Sequence, residues 1–302
     1  TGIGGRVTKQ DILAFLNSGG ARNQSARQPG DGSAGIAAAA PKAAPTVSAP
    51  ASAAPFAAAA GSGAKPSPTK VQPVPGTAVP MTVMRKKIAE HMILSKRTSA
   101  HVHSVFEINC HRIDQVRRAR KDEFERAGGK LTYLSFIIKA AVEALRAVPV
   151  VNASIDGDTV IYHKDINIGI AVALDWGLIV PVIRKADEKN LLGISRSVTD
   201  LANRARAKKL NPDDVQGGTF TITNPGGLGA QFGLPIINQP QVAIMGIGVV
   251  EKRAVVIDDA IAIRPMAYFS LAYDHRIIDG AVADEFMAHV KHTLEHWDPN
   301  AV

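Results

Sequence analysis

Two short runs in the last third of the chain carry residue types suited to acid–base chemistry. The first is Asp274-His275-Arg276-Ile277-Ile278-Asp279-Gly280, where a strand built of Tyr268, Phe269, Leu271 and Ala272 delivers His275 at its end. Imidazole titrates near neutrality, so a strand-end His with the Asp279 carboxylate close by in sequence has the makings of an oriented general base. The same spacing fits a plainer reading, in which Asp279 caps the following helix and His275 is simply hydrogen-bonded. The second run, Gly217-Gly218-Thr219-Phe220-Thr221-Ile222-Thr223-Asn224-Pro225-Gly226-Gly227, ends a β-propensity stretch in hydroxyls and amides. Donors of that kind near a reacting carbonyl stabilise an oxyanion. The run has no phosphate-cradling Lys and does not open a helix, so it is not a P-loop.

The elements that must position these runs follow from periodicity. Val83–Arg97, Arg112–Ala127, Thr132–Ala147 and Ile194–Ala207 have helical spacing, and a last helix spans about Ala281 to His296. Met84, Ile88 and Met92 supply the apolar stripe of the first. Strands are expected at His101–Asn109, Ile166–Leu174, Leu178–Ile183, Thr219–Thr223, Val242–Val249, Ala254–Ile257, Ala260–Ile263 and Met266–Tyr273. Asn152–Ile155 and Thr159–Tyr162 flank a hairpin turn at Asp156-Gly157. Strands and helices without regular βαβ alternation predict an α+β domain, a mixed sheet with packed helices, over residues 80–302.

The chain has 302 residues, a formal net charge of +8 and 46% hydrophobic residues, of which few are aromatic. Residues 21–79 are rich in Ala, Pro, Ser and Gly and bury too little to offset ordering entropy, so a flexible, disordered linker is expected there. Its Ala/Pro tract lacks the Leu, Ile and Phe density of a bilayer span, and no other apolar run is long enough; no membrane span is expected. Before it, Thr1–Asn17 has a capped helical pattern with Ile12, Phe15 and Leu16 on one face. It is too short to fold alone, and residues 1–20 are expected to be the remnant of a small helical domain. The single cysteine, Cys110, excludes an internal disulfide, and no signal-peptide pattern opens the chain. A reducing compartment, cytoplasmic or mitochondrial matrix, is expected rather than secretion.

Other candidates are weaker. The basic balance hints at nucleic acid, but Arg117–Lys121 and Arg204–Lys209 lie in helical patterns, where a solvated face is expected, and no aromatic-interleaved basic stripe exists. His289, His292 and His296 share one face of the last helix, with no cysteine or well-spaced carboxylate to complete a metal site, so none is expected. His101 and His103 turn to one face of their strand, as a polar sheet surface or channel lining. Cys110 is expected to be a packed thiol, and Trp176 and Trp297 packing anchors.

Asp274-His275-Arg276-Ile277-Ile278-Asp279-Gly280 together with Gly218-Thr219-Phe220-Thr221-Ile222-Thr223-Asn224 resembles the catalytic domain of the dihydrolipoamide acyltransferases, the core components of 2-oxo acid dehydrogenase complexes. The resemblance continues through Gly177-Leu178-Ile179-Val180-Pro181-Val182, Pro235-Ile236-Ile237-Asn238 and Pro240-Gln241-Val242-Ala243-Ile244. Thr1-Gly2-Ile3-Gly4-Gly5-Arg6-Val7-Thr8-Lys9-Gln10-Asp11-Ile12 resembles the C-terminal part of the family's peripheral-subunit-binding domain. The family's lipoyl domain is absent from these residues; a full-length protein is expected to carry one or more.

The resemblance implies a chloramphenicol-acetyltransferase-like fold, with active sites between neighbouring subunits of homotrimers that build a 24- or 60-subunit core. It implies His275 as the general base, Thr223 as the hydroxyl that meets the tetrahedral oxyanion, and Asp279 as the residue holding the structure around the base. Coenzyme A and the dihydrolipoyl arm are the implied substrates, with Arg85, Lys86 and Asn224 at the coenzyme A end. Arg6 and Lys9 are the implied docking face for the 2-oxo acid decarboxylase and dihydrolipoamide dehydrogenase. The acyl group stays open between acetyl and succinyl, since Thr223 is associated with the succinyl branch but not confined to it. Two other readings compete: a non-catalytic scaffold of the same fold, and a coenzyme A-dependent acyltransferase for a small-molecule acceptor.

Overall fold

The computed structural model describes residues 75–174 and 177–300. The expected subunit-binding remnant with Arg6 and Lys9, the linker up to residue 74, and Trp176 lie outside the described residues.

Helix α1 (Val83–Thr98) starts where the Thr82 hydroxyl accepts the Arg85 N–H, and carries Lys96 and Arg97 in its last turn, opposite the helix dipole's negative end. Strand β1 (His101–Asn109) leads to α2 (His111–Arg126) and α3 (Tyr133–Ala147), then to the hairpin β2 (Ala153–Asp156) and β3 (Thr159–Tyr162). Next come β4 (Ile168–Ile170), β5 (Val172–Leu174), β6 (Gly177–Ile179), β7 (Val182–Ile183) and α4 (Leu191–Arg206). The last third contains β8 (Phe220–Thr223), β9 (Ala243–Ile247), β10 (Glu251–Ile257), β11 (Ala260–Asp274) and α5 (Gly280–Glu295).

The main sheet runs β1-β11-β9-β8-β4-β7, with β10 paired to the first half of β11. Strand β8 is parallel to β4 and β9, and the other pairs are antiparallel, which is the mixed sheet of an α+β fold. Side chains alternate between the two faces of each strand. One face presents Phe220, Ile222, Met245, Phe269 and Leu271 to the helices, and all five are buried with Phe136, Ile137 and Leu145 of α3 and Phe286 of α5. Burying one such side chain is worth about 1.5–3 kcal/mol. The other face carries His101, His103, Thr221, Thr223, Ile244, Gly246, Ser270 and Ala272 by register, and the segment 233–241 crosses it.

Several elements differ from the sequence reading. Ile166–Leu174 is not one strand: β4 belongs to the main sheet, where its ladder with β8 ends at the Ala171 N–H on the Ile222 carbonyl, and from Val172 onward β5 pairs instead with β6 in a separate ribbon. Leu178–Ile183 divides likewise at Pro181, which has no N–H and offers its carbonyl to the Ile170 N–H. Conversely, Ala260–Ile263 and Met266–Tyr273 form one strand, because Pro265 sits just past the end of β1 and its carbonyl accepts the Cys110 N–H. The β2–β3 turn lies at Gly157 and Asp158, with Gly157 at φ 57°. Helix α4 begins at Leu191, three residues earlier than expected, capped by the Asn190 side chain on the Gly193 N–H. Helix α1 docks through polar contacts of His91 and Ser95, while Val83, Met84, Ile93 and Leu94 stay exposed.

Cys110 is fully buried, and that burial, with the Glu295 and Asp114 carboxylates nearby, pushes its thiol up to about 12. Trp297 is a packing anchor, edge-on to Phe136 with ring centroids 4.9 Å apart. No helix among the described residues is long and apolar enough to cross a membrane.

Candidate active site

His275 follows the last residue of β11, and its backbone is held on both sides. Its own N–H donates to the Ala100 carbonyl at 2.9 Å. The preceding Asp274 is 1% exposed and accepts the Ala100 N–H at 3.2 Å, the Arg276 N–H at 3.1 Å and two Arg276 guanidinium nitrogens. Burial pushes the Asp274 carboxyl up, but Arg276 and Ser99 outweigh it and hold the group below its ordinary range. A carboxylate thus fixes the turn on which His275 stands. The imidazole itself is exposed; it makes no hydrogen bond among the described residues, and its nearest ring neighbour is Tyr273 at 6.0 Å.

Asp279 is the N-cap of α5, and its Oδ1 accepts the Val282 N–H at 3.0 Å. The plain capping role weighed from sequence is the contact seen, and it anchors the far end of the His275 turn.

Thr223 ends β8 and is half-buried, level with Gly246 of β9, which in turn lies opposite Ser270 of β11. The next residue, Asn224, caps a short 3-10 turn, Pro225–Leu228, by accepting the Gly227 N–H. A Cβ on Gly226 would stand 2.2 Å from the Gly248 carbonyl carbon, so only glycine lets this turn lie on the strand end behind Thr223. By this register, His275 lies five residues further along β11 than the level of Thr223 and two strands across, an axial separation of about 16 Å. One chain therefore does not bring His275 and Thr223 together.

Asn224 also lines a cleft of about 540 Å³ with Lys130, Tyr133, Ile170, Thr199 and Arg206. Arg85 and Lys86 lie elsewhere, exposed in the first turn of α1 with no ion-pair partner among the described residues. His292 stacks on His296 at 4.4 Å, and among the described residues no group of His, Cys, Asp or Glu is placed to hold a metal.

The sequence reading assigned no role to Asp274, Arg276 or the segment 233–241. An acid and an arginine flanking a strand-end His were the available signal for the first two. The segment has no periodicity to betray it, because distant side chains hold it: Ser270 Oγ donates to Gly233 O, His103 to Pro235 O, and Ser95 Oγ to Ile237 O. Further along, Thr221 Oγ donates to Gln241 Oε1 at 2.7 Å. His101 and His103 share one face of the sheet, as expected, and there they hold this segment.

The family model for the 2-oxoacid dehydrogenases acyltransferase catalytic domain matches residues 74–302. The chain belongs to this family. The chain is 43% identical over 217 residues to the dihydrolipoyllysine-residue succinyltransferase component of the 2-oxoglutarate dehydrogenase complex of Rickettsia typhi, covering 72% of this chain and 54% of the relative. It is 38% identical over 300 residues to the lipoamide acyltransferase component of the branched-chain alpha-keto acid dehydrogenase complex of Bacillus subtilis, covering 99% of this chain and 66% of the relative. The cubic core of the pyruvate dehydrogenase multienzyme complex superposes with a TM-score of 0.70 at 34% identity, covering 75% of this chain and 98% of the solved one. The chain spans about half the length of the succinyltransferase relative.

Proposed function

We propose that this acyltransferase moves an acyl group between a dihydrolipoyl arm and coenzyme A. The observation that carries the reading is His275, an imidazole with no hydrogen bond among the described residues on a backbone fixed by Asp274, Arg276 and Ala100. A thiol of pKa about 8.5 is only a few per cent ionised at neutral pH, so a base within hydrogen-bond reach is what the reaction needs and a protein nucleophile is not. His275 takes the proton of the attacking thiol, and the sulfur adds to the thioester carbonyl carbon of the other substrate. The Thr223 hydroxyl donates to the resulting oxyanion. Collapse expels the second sulfur, which recovers the proton from the His275 imidazolium.

Because Thr223 and His275 stand about 16 Å apart along one sheet, the reading places each active site between two chains, Thr223 from one and His275 from its neighbour. Homotrimers within a 24- or 60-subunit core meet that need. Exposed apolar side chains on the β10–β11 ribbon support assembly: Val256, Ile261 and Ile263 are 73%, 82% and 67% exposed. Arg85, Lys86 and Asn224 are assigned to the coenzyme A end, where cations meet its phosphates. Residues 1–20 are assigned to docking the decarboxylase and dihydrolipoamide dehydrogenase, 21–79 to a tether, and the whole to the bacterial cytoplasm or the mitochondrial matrix.

Succinyl is the acyl group we favour, supported by Thr223 and by the name of the Rickettsia typhi relative. Turnover of coenzyme A with succinylated, acetylated and branched-chain-acylated dihydrolipoamide tests it, and a preference for acetyl would reverse the assignment. His275→Ala should abolish transfer in particles that still assemble; near-wild-type turnover would remove the base from the mechanism.

A further inference from the structure

The first residue of β1, His101, lies directly opposite Asp274 in the sheet. Its Nδ1 is 3.0 Å from the Ser99 carbonyl, which can only accept, so Nδ1 carries the proton. Its Nε2 then has a lone pair, which accepts the Ile237 N–H at 3.1 Å. Ile237 is fully buried against Ile244 and Ala272, and its carbonyl accepts the Ser95 hydroxyl at 2.6 Å. Both backbone groups of this buried residue are thus satisfied by side chains, and leaving such a group unpaired is expensive. The Ser99–His101 stretch is also the one whose Ala100 N–H and carbonyl hold Asp274 and His275.

We infer that His101, as a neutral imidazole bridging Ser99 and Ile237, is a positioning residue for the base His275. The inference rests on the proposed role of His275 and adds to it a second imidazole that must stay unprotonated. A proton on Nε2 would set an N–H against the Ile237 N–H and release the segment 233–241 from the start of β1. Burial pushes the His101 pKa down and keeps the ring neutral at physiological pH; Lys96 of α1 and His103 of β1 act the same way, while the Ser99 carbonyl and Asp274 of β11 oppose them. The bridge is therefore intact above the lowered pKa and lost as pH falls through it.

The experiment measures kcat against pH on the intact particle, with assembly followed by sedimentation at each pH. For the wild type, log kcat should fall with a slope that steepens from one proton to two on the acid side, one of the two protons being that taken up by His101. His101→Gln keeps an acceptor for Ile237 that cannot be protonated, so it should retain kcat within about tenfold and show a one-proton slope throughout. His101→Leu should lower kcat by about 10²-fold while KM for coenzyme A moves less than about threefold. A wild-type limb that never exceeds one proton, a His101→Gln limb that still steepens, or wild-type kcat in His101→Leu would each overturn the inference. If His101→Leu does not assemble, the His101→Gln profile decides. An inactive His275→Ala beside a fully active His101→Leu would sink this inference alone, whereas an active His275→Ala would sink the reading beneath it.

Discussion

Thr223 and His275 stand about 16 Å apart along the sheet, Thr223 level with Ser270 and His275 five residues further on, just past the end of β11. Two inactive chains should therefore rescue each other. Co-assembled His275→Ala and Thr223→Ala subunits should recover about a quarter of wild-type turnover, the share of interfaces that receive both intact residues under random mixing. Mixed particles no more active than either parent would show that the two residues do not share a site.

Thr223→Ala removes the proposed donor to the oxyanion and should lower kcat by about 10²–10³-fold. Binding of coenzyme A should be nearly unchanged, and Thr223→Ser should keep most of the rate. Calorimetric Kd values beside steady-state rates separate this from a binding role, which would raise Kd and KM together.

For Asp279 the cap on Val282 predicts a split between variants. Asp279→Ala should cost about 0.5–2 kcal/mol of stability, while Asp279→Asn, still a good cap, should cost little. Denaturation midpoints check this. Unchanged stability in both, with a displaced pH–rate profile, would point instead to direct proton transfer.

Asp274 is the acid-sensitive element of the turn. Its folded pKa lies below the unfolded value, so its contribution is full above the unfolded pKa and is lost as pH falls through the folded one. Asp274→Asn should destabilise by roughly 1.5–3 kcal/mol at pH 7 and progressively less in acid. A deficit that stays constant from pH 7 to strongly acidic conditions would contradict the ion-pair account.

Glycines 226 and 227 provide a matched pair. A Cβ on Gly226 meets the Gly248 and Val249 backbone at 2.2 and 2.3 Å, whereas one on Gly227 meets nothing within 4 Å. Gly226→Ala should displace the turn behind Thr223, lowering kcat and costing about 1–3 kcal/mol or more. Gly227→Ala should behave as wild type in both thermal melts and turnover.

Much of this architecture was legible because it is local. The stripes of α3 and α5, the alternation of β1 and the β-propensity of β8 are written in residues that fold against one continuous core. The merger across Pro265 was hidden because proline marks a break unless its edge position is known. The division of Ile166–Leu174 was hidden because Ala171 looks like any strand residue, and only the change of partner, from β8 at Ile170 to β6 at Val172, shows it. At the candidate site, His275, Thr223 and Asp279 could be proposed from their motifs. What positions His275 could not, since Ala100 and His101 reach it from the other end of the domain.

Cys110 bears on experiments with a protein proposed to handle thiols. The chain's one cysteine is sealed in the core with its pKa raised to about 12, so it offers no competing sulfur to an acyl group or an oxidised lipoyl ring. It should also resist maleimide in the folded state. A single cysteine introduced on the surface, at the exposed Asp122 of α2 for instance, would then be the only site to take a fluorophore, giving an optical reporter of subunit exchange without removing any native residue that packs the core.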